Sequence, residues 1–348
     1  MKKILEEDFA TIAEKYDFSA LKGSSVLVTG ATGLLGSQIL LFLDFLNRTR
    51  YFGTKLYAFC RSEEKAKKVF AEAFSENRIN FLYGDVLNLP AFDFAIDHII
   101  HGASVTSSTD FISRAVETID TAVNGTMNML NLAKEKQAKS FVYLSSMEAF
   151  GITDGKGEVR EADLGYIDLS SPRSSYSESK RLCENLCACF ASEYGVEAKI
   201  VRLTQTLGAG IDYSDTRVAA QFARAVIENR DIELKTQGAT KRPVIYTSDA
   251  ISAILTVLLK GKSGEVYTAA NPATFMTIRE TAEMIVEKIA KNSIKLKFDI
   301  QGVPAEYAPN LNLNLNLNVD KLCSLGWKPS VSLEESYKQM IAAIKEEM

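Results

Sequence analysis

From residue 26 to residue 36 the chain reads Val26-Leu27-Val28-Thr29-Gly30-Ala31-Thr32-Gly33-Leu34-Leu35-Gly36, an apolar run followed by three glycines spaced three apart; an apolar helical pattern then continues to Leu46. A strand that turns through glycine straight into a helix leaves few folds open. Gly30 permits the tight turn, Gly33 lets backbone N–H groups approach a pyrophosphate, and Gly36 lets helix and strand pack closely. Thr32, Leu34 and Leu35 fill the turn and the first helical positions, where a helix leaves N–H groups unpaired. A glycine turn serving structure alone is the alternative. The strand before it and the helix after it favour a dinucleotide.

The same rhythm continues downstream. Lys55 to Cys60 precedes a helical pattern over Glu63 to Phe74. Further strands are expected over Ile79 to Leu82, His98 to His101, Ser140 to Leu144 and Ala198 to Leu203, with helices over Val116 to Lys136 and Ser177 to Tyr194. Strands alternating with longer helices make βαβ units. The expected fold class is α/β, a doubly wound parallel (Rossmann) sheet with a smaller C-terminal α+β substrate cap. Residues 1–207 then form the dinucleotide-binding domain, with an N-terminal helical extension over 1–22. Residues 208–348 form mainly the cap, with interleaved boundaries, since 151–172 can also fold into it. The Leu/Asn alternation from Leu311 to Asn318 has the period of a half-buried strand, with low-complexity chain as the alternative.

Composition narrows the partners. A formal net charge of -4 offers no basic surface for a nucleic-acid backbone. The most apolar stretch, Leu34 to Leu46, contains Asp44 and falls short of the roughly 20 residues that cross a bilayer. The first 21 residues are charged and lack a secretory pattern, so a cytoplasmic protein is expected. Cys60, Cys183, Cys187, Cys189 and Cys323 show no CxxC pairing and are read as free thiols. Helical spacing makes Cys183 and Cys187 core residues rather than metal ligands. The two histidines, His98 and His101, lie in or beside one strand, which argues against a histidine metal site or a Ser/His/Asp triad. No metal is expected.

Carboxyl ends of parallel strands are where such a fold binds its cofactor. After the second strand the chain reads Cys60-Arg61-Ser62, with no acid for the adenine ribose. Arg61 can instead pair with a ribose 2′-phosphate, which favours NADP over NAD, although Glu63 and Glu64 follow and oppose a phosphate. Asp85 and Val86 are placed to meet the adenine, and Gly102, Ala103 and Ser104 to pass beneath the cofactor.

Tyr176-Ser177-Glu178-Ser179-Lys180 opens a helix about 30 residues beyond Ser146. A spacing of four puts phenol and ammonium on one face. Positive charge from Lys180 and a nicotinamide is expected to lower the phenol's pKa so that Tyr176 exchanges a proton with a substrate hydroxyl. Ser146 would donate a hydrogen bond to the oxygen on which charge develops. A surface Tyr and Lys is the bland alternative, weakened by the register with the glycine turn and the serine strand.

Together these residues resemble the extended short-chain dehydrogenase/reductase family, in particular nucleotide-sugar epimerases and dehydratases, over nearly the whole chain. The run from Phe141 to Gly151 is similar to the family's serine strand. Arg202 to Gly208 resembles its sugar-nucleotide segment, Lys241 to Asp249 the stretch whose arginine binds a diphosphate, and Leu325 to Pro329 a family-like end. The resemblance implies a nucleotide-sugar substrate touched by Thr106, Ser146, Gln205, Arg217 and Arg242, with Arg242 on the diphosphate. It also implies a homodimer built on the helices Val116 to Lys136 and Ser177 to Tyr194, although the stripe Leu182, Leu186, Phe190 serves equally well as internal core.

The departures fall where members of the family differ in chemistry. Gln205 replaces an asparagine, and Ala122 stands where an asparagine supports the proton relay. Sugar 4,6-dehydratases resemble Thr-Asp-Glu where this chain has Ser146-Met147-Glu148, and Met147 cannot act as the acid. Glu148 resembles the lone glutamate of UDP-glucuronate decarboxylases, or is a structural hydrogen-bonding residue. The expected function is NAD(P)-dependent epimerase-type chemistry through a 4-keto intermediate. Alternatives are an NADPH-dependent keto-sugar reductase, a UDP-glucuronate decarboxylase-like enzyme, a 4,6-dehydratase-like enzyme and a non-enzymatic NAD(P) sensor. An intact YxxxK counts against the sensor.

Overall fold

The computed structural model describes residues 3–153, 157–300, 314–346 and 348. Seven strands pair in parallel in one sheet: β1 (Ser25–Thr29), β2 (Lys55–Cys60), β3 (Asn80–Tyr83), β4 (His98–His101), β5 (Ser140–Ser146), β6 (Ala198–Leu203) and β7 (Val266–Ala269). Their order is β7-β6-β5-β4-β1-β2-β3, so the chain reverses direction across the sheet between β1 and β4. Ligands bind at such a reversal.

Strands buried on both faces must be apolar at successive positions. In β1, Val26 and Val28 join a core with the helix Leu34–Arg50 (α2), while Leu27 faces a second core with Phe141, Met129, Leu130 and Cys187. The helices Ala115–Glu135 and Ser175–Tyr194 pack against each other over that second face. The helix expected over Glu63 to Phe74 is interrupted at Phe70. Phe70 is 1% exposed and packs against Phe81, and its burial is bought with a break in the helix. Of the Leu/Asn run, 311–313 lie outside the described residues. Beyond them Asn314 bridges Lys241 and Leu317 bridges Val159, with Leu315 and Leu317 buried, so burial alternates over 314–317 in isolated bridges and stops alternating at Asn318, which is buried too.

A third core forms the cap, where Val218–Ile227, Leu333–Lys345 and the Ile278–Met284 turn bury Phe222, Ile285, Tyr337 and Met340. Short strands Gln205–Leu207 and Val244–Tyr246 pair in parallel beneath it. Trp327 is fully buried, donating from its indole to the Asp249 carbonyl, and the Asp249 carboxylate accepts from Ser330 and Val331. These bonds explain why Leu325 to Pro329 reads as a distinct segment.

The N-terminal helix Lys3–Lys15 (α1) packs on α2, Thr247–Lys260 and Leu333–Lys345, with Phe9 edge-on to Phe42 at 5.5 Å. Asp8, buried in this contact, accepts from the Tyr246 hydroxyl at 2.7 Å. Burial pushes its carboxyl up to about 7, with Asp249 and Glu7 adding to the shift and the Tyr246 bond opposing it. Between about pH 4 and pH 7 the folded chain therefore keeps a proton that the unfolded chain releases. That stabilisation is complete below about pH 4 and lost as pH rises through 7. Asp8→Asn should leave Tm unchanged near pH 4 and raise it by several degrees near pH 8, as read by calorimetry.

Candidate active site

The glycine turn is as tight as its sequence requires. Gly30 has φ +66, and a Cβ there would stand 2.7 Å from the Gly102 carbonyl and 2.8 Å from the Ala103 nitrogen. A Cβ on Gly36 would lie 2.4 Å from the Gly30 oxygen. Gly33 caps α2 with extended backbone and is exposed, and Thr32, Leu34 and Leu35 are partly exposed around it. Free N–H groups at an open helix start, with no side chain in the way, fit a pyrophosphate.

The strand ends complete this cradle. Gly102 donates to the Thr29 carbonyl, and the Thr29 hydroxyl accepts from Ala103 while bonding His101 at 2.7 Å. His101 also meets Thr126, and burial holds its pKa down to about 3, so it is a neutral strut between strand and helix. Asp85 accepts from Leu87 at 2.9 Å and Val86 packs on Gly125; both follow β3. Ser104 is partly exposed and Thr106 exposed in the loop after β4. Arg61 is exposed at the end of β2 and has no hydrogen bond or ion pair among the described residues. These groups fit a nicotinamide dinucleotide.

Beside the cradle, Lys180 is 3% exposed, donates to the Leu144 carbonyl at 2.8 Å and lies 5.5 Å from the Tyr176 ring centre. Its other aromatic neighbour is Tyr143 at 4.7 Å. Burial pulls Lys180 down to about 8. Tyr176 is pushed above the ordinary tyrosine value by burial first and by Glu148 second, against the hydrogen bond to Ser146 and the Arg173 charge. The lowering expected from Lys180 is thus not achieved by the protein alone. A bound oxidised nicotinamide would bring a pyridinium charge of the sign that lowers it.

Glu148 is pinned. Both of its oxygens meet Arg173 at 2.9 Å, and Ser177 donates to it at 3.1 Å. Its backbone N–H bonds the Ser146 hydroxyl at 3.2 Å, tying the carboxylate to the serine. Met147 points away into the core, 6% exposed. Phe111 lies flat on Tyr176, ring centres 4.2 Å apart and 12° from parallel, and Arg173 covers Phe111 at 4.8 Å. Neither Arg173 nor Phe111 was singled out from the sequence. The signal for Arg173 was its place one turn ahead of Tyr176, directly after Pro172.

Of the substrate candidates, Arg242 and Gln205 come together, with a guanidinium-to-amide bond of 3.1 Å. They line one cavity with Phe222, Met276 and Tyr337 of the cap. Arg217 is exposed and bidentate on Asp215, at 3.0 Å to one oxygen and 2.5 Å to the other, one residue before Val218 of the same cavity. Beneath Ser146, a second buried pair joins Arg202 to Glu184 at 2.7 Å, and Glu184 also accepts from Ser145 at 2.5 Å. Removing one partner of such a pair leaves an uncompensated buried charge.

The family model described as NAD dependent epimerase/dehydratase family matches residues 26–270. The chain belongs to that family. It is an enzyme of the NAD-dependent epimerase/dehydratase type. UDP-glucuronic acid decarboxylase 1 of Danio rerio is 27% identical over 93% of this chain and 73% of that protein. UDP-glucuronic acid decarboxylase 6 of Arabidopsis thaliana is 28% identical, over 90% and 87%. Among solved structures, the UDP-glucuronic acid 4-epimerase of Bacillus cereus in complex with UDP-glucuronic acid and NAD superposes with a TM-score of 0.76 at 21% identity, over 93% and 100% of the two chains. The fold expected from the sequence is the fold these share. No helix among the described residues is long and apolar enough to cross a membrane.

Proposed function

We propose that the chain oxidises C4 of UDP-glucuronic acid and that loss of its carboxylate follows. The observation carrying this is the pair Glu148 and Met147: Glu148 is fixed beside Ser146 by Arg173, while Met147, next to it, is buried and apolar. Elimination of water calls for an acid and a base flanking the sugar, and Met147 can be neither. Once C4 is a ketone, the C6 carboxylate is β to it, so the C5–C6 bond breaks without a second acid and its electrons pass to the C4 oxygen. The curated relatives named above are decarboxylases of this substrate, which supports the choice over simple epimerisation.

In this mechanism Ser146 holds the C4 oxygen and Tyr176 takes the hydroxyl proton and later returns it. NAD, when bound, accepts the C4 hydride and gives it back. Lys180 holds the cofactor ribose, and Arg242, with Gln205, takes the diphosphate. Residues 1–207 serve mainly the dinucleotide and 208–348 mainly the sugar nucleotide. A cytoplasmic homodimer is part of the same reading, supported by the exposed Val116, Ile119 and Leu182 on the two packed helices.

A second reading, NADPH-dependent reduction of a keto-sugar nucleotide, is favoured by Arg61. Among the described residues its guanidinium has no partner, and Glu63, one of the acids that oppose a phosphate there, is engaged by Lys67 at 2.7 Å. Incubation with UDP-glucuronic acid and NAD, followed by mass spectrometry, should give a UDP-pentose and carbon dioxide. A UDP-hexuronate of altered configuration would replace decarboxylation by epimerisation. No conversion with NAD, together with NADPH-dependent reduction of a UDP-4-keto sugar, would establish the second reading.

A further inference from the structure

Arg173 contacts two parts of the site at once. Its two terminal nitrogens take the two oxygens of Glu148, each at 2.9 Å, and its guanidinium lies over the Phe111 ring at 4.8 Å. Phe111 also stacks on the Tyr176 ring, nearly parallel at 4.2 Å. Arg173 is 8% exposed, and Ser175, two residues on, donates to the Phe111 carbonyl at 2.8 Å, which keeps the short helix Asp110–Ser113 in place.

Bidentate pairs of this kind fix a carboxylate's orientation as well as its charge. We propose that Arg173 is a positioning residue: it clamps Glu148 through both oxygens and backs the aromatic stack on Tyr176, so that Glu148 works as a fixed, compensated anion beside the phenol. This rests on the assignment of Tyr176 as proton exchanger. It adds a reason why a carboxylate can sit next to that phenol without disabling it. An uncompensated anion there holds the proton on Tyr176, and Arg173 opposes the effect.

The charged and titratable groups around Tyr176 come from every side. Lys180 lies over the ring and also over that of Tyr143, Glu148 and Arg173 act on the phenol by their charges, and Asp110 shares the short helix with Phe111. Arg242 reaches in from the cap, where the Glu148 charge acts on it. Cys183 and Cys187 follow Lys180 on its own helix, both buried as thiols with raised pKa.

The test uses the full chain with NAD bound and compares Arg173→Gln, Arg173→Lys, Glu148→Gln and the double variant Glu148→Gln/Arg173→Gln. For Arg173→Gln the acid limb of the kcat/KM profile with UDP-glucuronic acid should move up by about one pH unit. An ultraviolet difference titration of the Tyr176 phenol, each protein against its own Tyr176→Phe variant, should show the same shift without any substrate. Arg173→Lys keeps the charge and should keep the limb close to wild type, which also carries the test if the glutamine variant fails to fold. In the Glu148→Gln background, Arg173→Gln should cause a clearly smaller shift, the part due to the direct action of its charge on the phenol.

A limb that stays in place in folded Arg173→Gln, a shift of undiminished size without Glu148, or an equal shift in Arg173→Lys would overturn the inference. Tyr176→Phe separates the two levels of failure. If that variant turns over normally, the functional assignment itself has failed; if it is inactive and Arg173→Gln leaves both titrations unmoved, only the role of Arg173 has.

Discussion

Tyr176→Phe should lower kcat about a thousandfold while NAD affinity stays within about twofold of wild type. The phenol is placed for proton exchange beside the serine strand: it is stacked on Phe111, and its ring centre is 5.5 Å from the Lys180 ammonium. Phenylalanine keeps the ring and its packing, so the stack, the helix start and the cradle remain. Only the proton exchange is lost, and a positioned acid–base group is worth between about a hundredfold and ten thousandfold. Steady-state turnover together with calorimetric titration of NAD separates the two effects. A variant with near-normal turnover would remove Tyr176 from the chemistry.

Gly30→Ala should weaken NAD binding by about a hundredfold or more and lower Tm as well. Two costs add at this position. A residue with a Cβ at φ +66 is less stable than glycine by about 1–2 kcal/mol. The new methyl would also stand 2.7 Å from the Gly102 carbonyl, and relieving such an overlap costs about 1–3 kcal/mol. The relief must part β1 from β4, where Thr29 bonds both His101 and Ala103, and this is the floor on which the dinucleotide rests. Isothermal titration reads the affinity, and an affinity within threefold of wild type would show that the turn is not the pyrophosphate site.

Local rules carried much of the fold. β2, β4 and β6 have the bounds that their β-rich runs indicate: Ile99-Ile100 and Ile200-Val201 are the apolar centres expected of buried parallel strands, while His98, His101, Lys199 and Arg202 are buried polar members of the same strands. The helix after β2 was less legible. Glu63 to Phe74 carries helix formers throughout, and the break at Phe70 comes from that ring's burial against Phe81, a contact between distant parts of the chain. The dimer stripe divided for the same reason: Leu182 is 47% exposed while Phe190 is 5% exposed, since only the latter reaches the sheet.

At the site, glycines and the Tyr/Lys spacing were readable because backbone geometry and helix periodicity dictate them. The clamp on Glu148 was not. Arg173 and Glu148 are 25 residues apart, and nothing in either local sequence says that a 3-10 turn after β5 will face the start of the helix carrying Tyr176. The surroundings of the Tyr176 phenol were equally out of reach: burial first and Glu148 second raise it, and neither follows from the spacing that puts Lys180 on its face.

The most direct test of C4 oxidation by this site follows a label. UDP-glucuronic acid carrying deuterium at C4 is converted in ordinary water, and the product is analysed by mass spectrometry and NMR. The expected result is deuterium retained at C4 with a hydrogen from water incorporated at C5. Deuterium lost from C4 to the solvent would contradict a hydride removed and returned within one site.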